Sequence, residues 1–434
     1  MSAQPIVVSF VNDAGWSDCR SRPANSGSTM PTGLHTDPAS PPTWRARTVD
    51  YLGLERNVGL AAGAVFLVEL GEELWKRYLP KYLEALGAGV GTIGLFGTAT
   101  DFLDAVYQYP GGWLADRMGR RRAFLLFIAL AVVGYVIYLL SPSWPYLFLG
   151  LCFAMAWQSM ASPAIFAVIA DGLPKHRRTM GFTVQAIIKR IPRAVSPLAG
   201  GALIASIGIV AGIRVALIVT LVLSAGTVLV TRAISIPIIG GGRVGIREVW
   251  RSFDVSLKRL LVSDIVIRTC EGMAGIFIIL YATNIIGVGI GEFGLLVAVQ
   301  VVTSILVYIP SARIADRIGR KPFVVATFAC FALFPGAVAL SSGFWTLAGA
   351  FAVGGLREIG EPARKAMIVD FAEPHLRGRT VGLYYLVRSL SVTPAAAIGG
   401  LLWQVTPAAP FIIAGAIGLA GTVLFAATVE EANR

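Results

Sequence analysis

Three glutamates stand at i, i+3 and i+4 in FLVELGEELW: Glu69, Glu72 and Glu73. That spacing is one face of a helix. Asp101 and Asp104 follow in a second apolar stretch, with Gln108 on the same stripe. Carboxyl groups in apolar surroundings are costly and usually functional. Two of them held close in low dielectric resist being ionised together, which lets one carry a proton near neutral pH. Counted in from the ends of their helices at ~1.5 Å per residue, Glu69 and Asp101 come to similar depth. Glu69, Asp101, Asp104 and Glu72 are therefore the candidates for proton transfer. The competing reading is that Glu69 or Glu72 neutralises an arginine across the bundle.

Cations of matching placement exist. Lys189, Arg190 and Arg193 surround Pro192, and Arg193 lies about 20 Å along a helix from Met180, deep for a snorkelling side chain. GLREIGEPARKAM puts Arg357, Glu361, Arg364 and Lys365 on one stripe, Arg268 and Glu271 stand three apart, and Arg388 follows. Guanidinium groups suit a carboxylate or phosphate on a substrate. The candidate substrate contacts are Arg193, Lys189, Arg357, Glu361, Arg268 and Glu271, with Gln158 as a polar cavity residue. Against this stands an internal ion-pair network, Arg357 with Glu361 for example. Trp75 and Trp157 fit a cavity wall or plain packing.

The elements that must position these groups are membrane helices. Of 434 residues, 55% are hydrophobic and 14% charged, and mean hydropathy is +0.70; soluble domains carry about 25% charged residues. Apolar runs of bilayer length recur, AFLLFIALAVVGYVIYLL among them. They do not alternate, which excludes a β-barrel. Hydropathy and breakers predict twelve spans: 57–81, 88–113, 123–141, 144–170, 180–206, 210–231, 262–287, 290–313, 321–340, 343–370, 381–404 and 408–428.

The net charge of +12 would suggest nucleic acid in a soluble protein. Here the basic residues gather in RMGRRR, PKHRR, RIGRK, HLRGR and 232–259, while SPSW, SSGF and QVTPAAP are nearly uncharged. This positive-inside pattern places the basic loops and both termini in the cytoplasm of a plasma (inner) membrane protein, with lipid as its surroundings and no nucleic-acid partner. WKRYLPKYLE (75–84) is the poor fit, a basic stretch on the outer side. The expected organisation is a disordered cytoplasmic tail (1–55), a six-helix bundle (56–231), a cytoplasmic linker (232–261), a second six-helix bundle (262–429) and a short tail (430–434). In the linker, REVWRSFDVSLKRLL has the spacing of an amphipathic helix lying on the membrane surface. Met1 and Met30 both remain possible start residues.

Four cysteines lie far apart, and three histidines sit in the tail and loops. That pattern predicts no metal site and no disulfide. There is no P-loop and no nucleophile constellation, so neither ATP nor another cofactor is expected, and an enzyme is not.

The chain also repeats itself. GGWLADRMGRRR at 111 returns as SARIADRIGRKP at 311, with Asp116, Arg117, Gly119 and Arg120 matched by Asp316, Arg317, Gly319 and Arg320, each 200 positions on. SPAIFAVIAD (162–171) returns as EPARKAMIVD (361–370), and Tyr109-Pro110 stands opposite Ile309-Pro310. Two like halves of six helices follow. With twelve spans as 6+6, a long central loop and two copies of G-x-L-A-D-R-x-G-R-[RK], the second with Ala312 and Ile314 in place of its Gly and Leu, the chain resembles the major facilitator superfamily from about 56 to 430. The resemblance implies that fold, a central cavity lined by spans 1, 4, 7 and 10, and a gate latch at the charged turns: Gly112, Asp116, Arg117, Gly119 and Arg120, with Asp316, Arg317, Gly319 and Arg320 as a second copy. The plain alternative is a surface turn with snorkelling arginines. SPLAGG (196–201) is similar to a motif of family antiporters, with Ser196 in place of a glycine; close packing of small residues explains it equally.

The expected function is secondary active transport of a small organic solute by a monomer, driven by protons and directed to export. Alternatives are proton symport of an organic anion, a lipid flippase on the same fold, and a transporter-like receptor.

Overall fold

The computed structural model describes residues 56–161, 178–233, 246–373 and 377–430. The expected tail 1–55, the SPAIFAVIAD copy and residues 234–245 of the linker lie outside them, as do the side chains of Asp116, Arg120 and Asp316. Every regular element among the described residues is helical. In the first half these are α1 (Arg56–Glu72), α2 (Leu79–Ala85), α3 (Val90–Met118), α4 (Arg120–Leu140), α5 (Pro145–Met155), α6 (Arg178–Ile207) and α7 (Ile209–Arg232). In the second they are α8 (Ile246–Arg251), α9 (Val255–Gly275), α10 (Ile290–Ile318), α11 (Lys321–Ala339), α12 (Phe344–Leu356), α13 (Glu361–Asp370), α14 (Arg377–Val392), α15 (Ala395–Val405) and α16 (Ala409–Thr428).

Among the described residues six helices are long and apolar enough to cross a membrane, or seven with the bent pair formed by α9 and Ile278–Ile285. The other helices are shorter or carry more charge: α1 holds Glu69 and Glu72, and α3 and α6 hold the aspartates and arginines. Within the first half α1 packs on α6 and α7, and α4 on α5 and α7; within the second, α16 lies against α9 and α11, and α10 against α12. Between the halves α3 meets α14 and α15, and α6 meets α10. Exposed Val222, Leu229, Leu306, Leu333, Leu419 and Val423 cover the outside with the apolar surface lipid requires.

The 200-residue repeat is written in backbone angles. Gly119 and Gly319 end α3 and α10 with φ of +83° and +113°, a region that side chains other than glycine's avoid. Gly87 and Gly287 share φ of +90° and +81° one turn before the same two helices.

The linker differs from expectation. REVWRSFDVSLKRLL is not one surface helix: α8 stops at Arg251, and α9 begins at Val255 with Asp254 as its N-cap, accepting from Ser256 N at 3.2 Å. The backbone amides of Val255 and Ser256 hold the Asp254 carboxyl below the usual carboxylate range. Val249, Phe253, Leu257, Leu260 and Leu261 are buried among Val324, Phe328 and Tyr384. The apolar stripe is real but faces protein, because α11 and α14 offer a cluster to bury it in.

Candidate functional site

Four breaks in the helices converge on the middle of the molecule. After Glu72 the chain turns through Glu73–Trp75 and a 3₁₀ turn, Lys76–Tyr78, before α2 resumes with Pro80 in its first turn. α5 passes into a π-helical turn, Ala156–Met160. α9 bends by 41° at Ile276–Phe277. Between α12 and α13 the chain turns through Arg357–Gly360, and Pro362 opens the next helix. Lys76 and Ile276, like Trp157 and Arg357, are 200 positions apart, so the breaks are two pairs of repeat mates. Unwound backbone at membrane depth is tolerated only where protein buries it or it lines a cavity.

The span 57–81 was expected to run unbroken, and Pro362 to kink the span 343–370. The first breaks after Glu72, and the second at Arg357–Gly360 just ahead of Pro362, where neighbours press on both. A Cβ on Gly200 would stand 1.9 Å from Leu74 O, and one on Gly399 2.2 Å from Met273 O. The glycines of SPLAGG and TPAAAIGG thus let α6 and α15 lie directly against the broken helices. Trp75 donates to Thr220 Oγ1 at 3.1 Å and meets Tyr135 and Tyr138 edge-on; Tyr78 donates to Pro197 O at 2.6 Å.

A cavity of about 320 Å³ lies beside the first three of these breaks, walled by both halves. Its charged lining is Glu72, Lys76, Asp101 and Glu271. Phe96, Leu79, Leu151, Met155, Ile276 and Ala396 supply apolar wall. Glu72 accepts from Tyr135 OH at 2.5 Å. Lys76 donates to Gln158 Oε1 at 2.5 Å. Glu271 accepts from Arg268 at 2.7 Å and from Arg357 at 3.2 Å. Asp101 has no hydrogen bond or ion pair among the described residues.

Glu69 and Asp101 are engaged differently. Glu69 is buried and takes two N–H groups of Arg193, at 3.2 and 3.3 Å. Arg193 also reaches Glu73 at 3.7 Å, and Arg77 reaches it at 3.3 Å. The carboxylates that face Asp101 electrostatically are Asp104 and Glu271. Asp104 is bound by Ser159 at 2.7 Å and Gln108 at 3.3 Å. Lys189 has no hydrogen bond or ion pair among the described residues.

The second half holds a larger network. Arg364, 1% exposed, joins Asp264, 0% exposed, at 2.5 Å and Glu361 at 2.7 Å. Arg268 and Lys365 add to Glu361 at 3.4 and 3.5 Å, while Tyr384 and Arg388 add to Asp264 at 3.1 and 3.4 Å. Arg357 pairs with Glu271 rather than Glu361, its guanidinium lying over Phe331 and Phe334 at 4.8 and 4.7 Å. The ion-pair reading of these arginines thus describes their contacts. Arg190 crosses to the second half, pairing with Glu358 at 2.8 Å, donating to Ser304 at 2.8 Å and stacking over Tyr308.

At the turns, Arg117 lies over Trp113 at 5.1 Å and Arg317 is exposed. Arg320 pairs with Asp370, the last residue of α13. Gly112 falls within α3.

Sequence reasoning missed Lys76, Asp264, Glu358 and Tyr135. Lys76 stood in the basic stretch that fitted the outer side poorly. The placement accounts for that stretch: Lys76 faces the cavity, and Lys81 donates to Glu84 at 2.5 Å and to Asn284 at 2.6 Å. Tyr135 carried no signal, being one aromatic residue in an apolar run.

Comparison with known proteins agrees with this architecture. The family model of the Major Facilitator Superfamily matches residues 61–253 and 260–434. An MFS-type transporter of Methanocaldococcus jannaschii is 21% identical over 391 residues, 86% of this chain and 94% of that one. The quinolone resistance protein NorA of Staphylococcus aureus is 26% identical over 137 residues, 32% of this chain and 35% of its own. Among solved structures, the nucleoside transporter NupG superposes with a TM-score of 0.71 at 12% identity, covering 87% of this chain and all of that one.

Proposed function

The chain belongs to the major facilitator superfamily, and on that footing we propose that it exports a small organic amine in exchange for protons, by alternating access to the central cavity. Asp101 carries the reading. It lines the cavity without a hydrogen bond or ion pair among the described residues, while Glu72 and Glu271 beside it are bonded. A carboxylate so placed is neutralised by a proton or by an ammonium group, one excluding the other, and that exclusion is what exchange requires. The aromatic and aliphatic wall suits an apolar body on the amine. The likeness to NorA, a quinolone resistance protein, supports export. The basic loops support a cytoplasmic placement of that end and of the termini in the plasma membrane. The protein acts as a monomer with the proton gradient as its energy source and needs no ATP.

One observation favours a second reading. The charged network of the second half sets Arg268, Arg357, Arg364, Arg388 and the exposed Lys365 against Asp264, Glu271 and Glu361, an excess of positive charge that suits an organic anion taken up with protons.

The deciding experiment uses everted vesicles with an acid lumen and a pH-reporting dye. Organic amines should collapse the gradient in wild type and fail to do so in Asp101→Asn. Collapse that requires organic anions loaded in the acid lumen, lost in Arg357→Ala and kept in Asp101→Asn, would establish the second reading instead.

A further inference from the structure

We propose that the groove between the start of α9 and the end of α16 binds one anionic phospholipid at the basic face of the membrane. The groove encloses about 240 Å³ and is lined by Val255, Lys258, Arg259, Val262, Leu424 and Thr428. It is separate from the central cavity, and neither the transport reading nor the ion-pair networks use it.

Its lining has the order of a lipid. Val255, Lys258, Arg259 and Val262 stand at i, i+3, i+4 and i+7, one stripe of α9. Val255 and Val262 are 58% and 51% exposed, so the stripe shows apolar surface on both sides of its cations. The bent pair that α9 opens is apolar and long enough to cross the membrane, so the cations sit within two turns of where that span begins. About 10 Å separates Val255 from Val262 along the axis. Phosphate belongs at the level of Lys258 and Arg259, and an acyl chain in the slot that Val262 and Leu424 continue into the bilayer.

The cations are placed and available. Arg259 donates from one terminal nitrogen to Thr428 O at 3.1 Å, which fixes the guanidinium across the groove mouth and leaves further N–H groups for a phosphate oxygen. Lys258 is exposed and has no side-chain hydrogen bond or ion pair among the described residues. Asp254 lies near it, but its carboxylate is engaged by the first amides of α9. A basic pocket between membrane helices on the side of the basic loops is the arrangement that holds acidic head groups. A head group without net charge would gain no advantage from either cation, so the site selects for anionic lipid.

The test uses the full-length protein purified in neutral detergent. Phosphatidylglycerol and phosphatidylcholine with the same acyl chains are titrated in, and bound lipid is read by native mass spectrometry and by the rise in melting temperature. Phosphatidylglycerol should be retained and should raise the melting temperature; phosphatidylcholine should do neither. Lys258→Ala should weaken retention roughly fivefold, as loss of one cation at a charged membrane surface implies. Val262→Trp fills the slot without changing charge and should also displace the lipid, so the groove is tested even where a charge variant misfolds. Equal retention of the two lipids, or of phosphatidylglycerol by wild type and both variants, overturns the proposal. Full competition by glycerol 3-phosphate would assign the cations to a free phosphate and overturn it as a lipid site.

Discussion

Glu84 and Asn284, 200 positions apart in the two copies of the repeat, bond to one another: Asn284 Nδ2 donates to Glu84 Oε1 at 2.7 Å. Lys81 closes the triangle by reaching both. The contact sits at the end away from the basic loops, where α2 and the π-helical turn Tyr281–Ile285 meet. It ties the halves together there, so a cavity open to that end requires its loss. Asn284→Ala should shift the population toward that opening. A lost hydrogen bond to a charged group is worth about 1.5–3 kcal/mol, or roughly 10- to 150-fold in the equilibrium. Spin labels at exposed Leu140 and Leu340 read the separation; an unchanged distance distribution would show that the clamp does not hold the closed state.

Asp101→Asn should abolish proton-driven export while leaving exchange of substrate for substrate measurable, since the amide still hydrogen-bonds but no longer binds a proton. A drop of at least about tenfold in driven export, with counterflow retained, is the expected pattern. Equal loss of both activities would place Asp101 in amine binding without a part in coupling.

Gly200→Val should destabilise the first half, because its side chain would collide with Leu74 O. Overpacking costs about 1–3 kcal/mol where neighbours can shift, and backbone held by Trp75 and Tyr78 shifts poorly. Melting in detergent should fall by several degrees. Gly226→Ala, where the nearest atom to a new Cβ is 3.7 Å away, serves as the tolerant control.

Arg364→Met leaves Asp264 buried with weaker partners and should cost about 3–5 kcal/mol. Adding Asp264→Asn should recover a large part of that loss, because the uncompensated charge disappears with it. A double variant no more stable than the single one would show that the arginine acts by packing.

The fold was legible where the sequence is regular. The paired turns at Asp116 and Asp316 exposed the repeat. The same 200-residue offset continues through LGAGVG at 86 and IGVGIG at 286, and carrying it further would have paired Glu84 with Asn284 and the helix breaks with each other. The candidate site was legible as a set of residue types but not as a set of pairs. Whether Glu69 meets Asp101 or Arg193 depends on how α1 is rotated against α3 and α6, and periodicity within a helix does not fix rotation between helices. Lys76 escaped because a helix drawn without interruption carries residue 76 toward the outer surface, whereas the actual turn brings it back to Gln158.

Synthesis runs from the first residue to the last, and the ion pairs of α1 have a consequence in that order. Glu69 and Glu73 are made 124 and 120 residues before Arg193, the arginine that binds both. A charged residue at mid-bilayer costs about 2.5–3.5 kcal/mol on insertion. The first span therefore leaves the ribosome as a poor anchor, and it becomes a stable one only when the fifth predicted span arrives. The nascent first half has to wait, sheltered from lipid, for a partner still being translated.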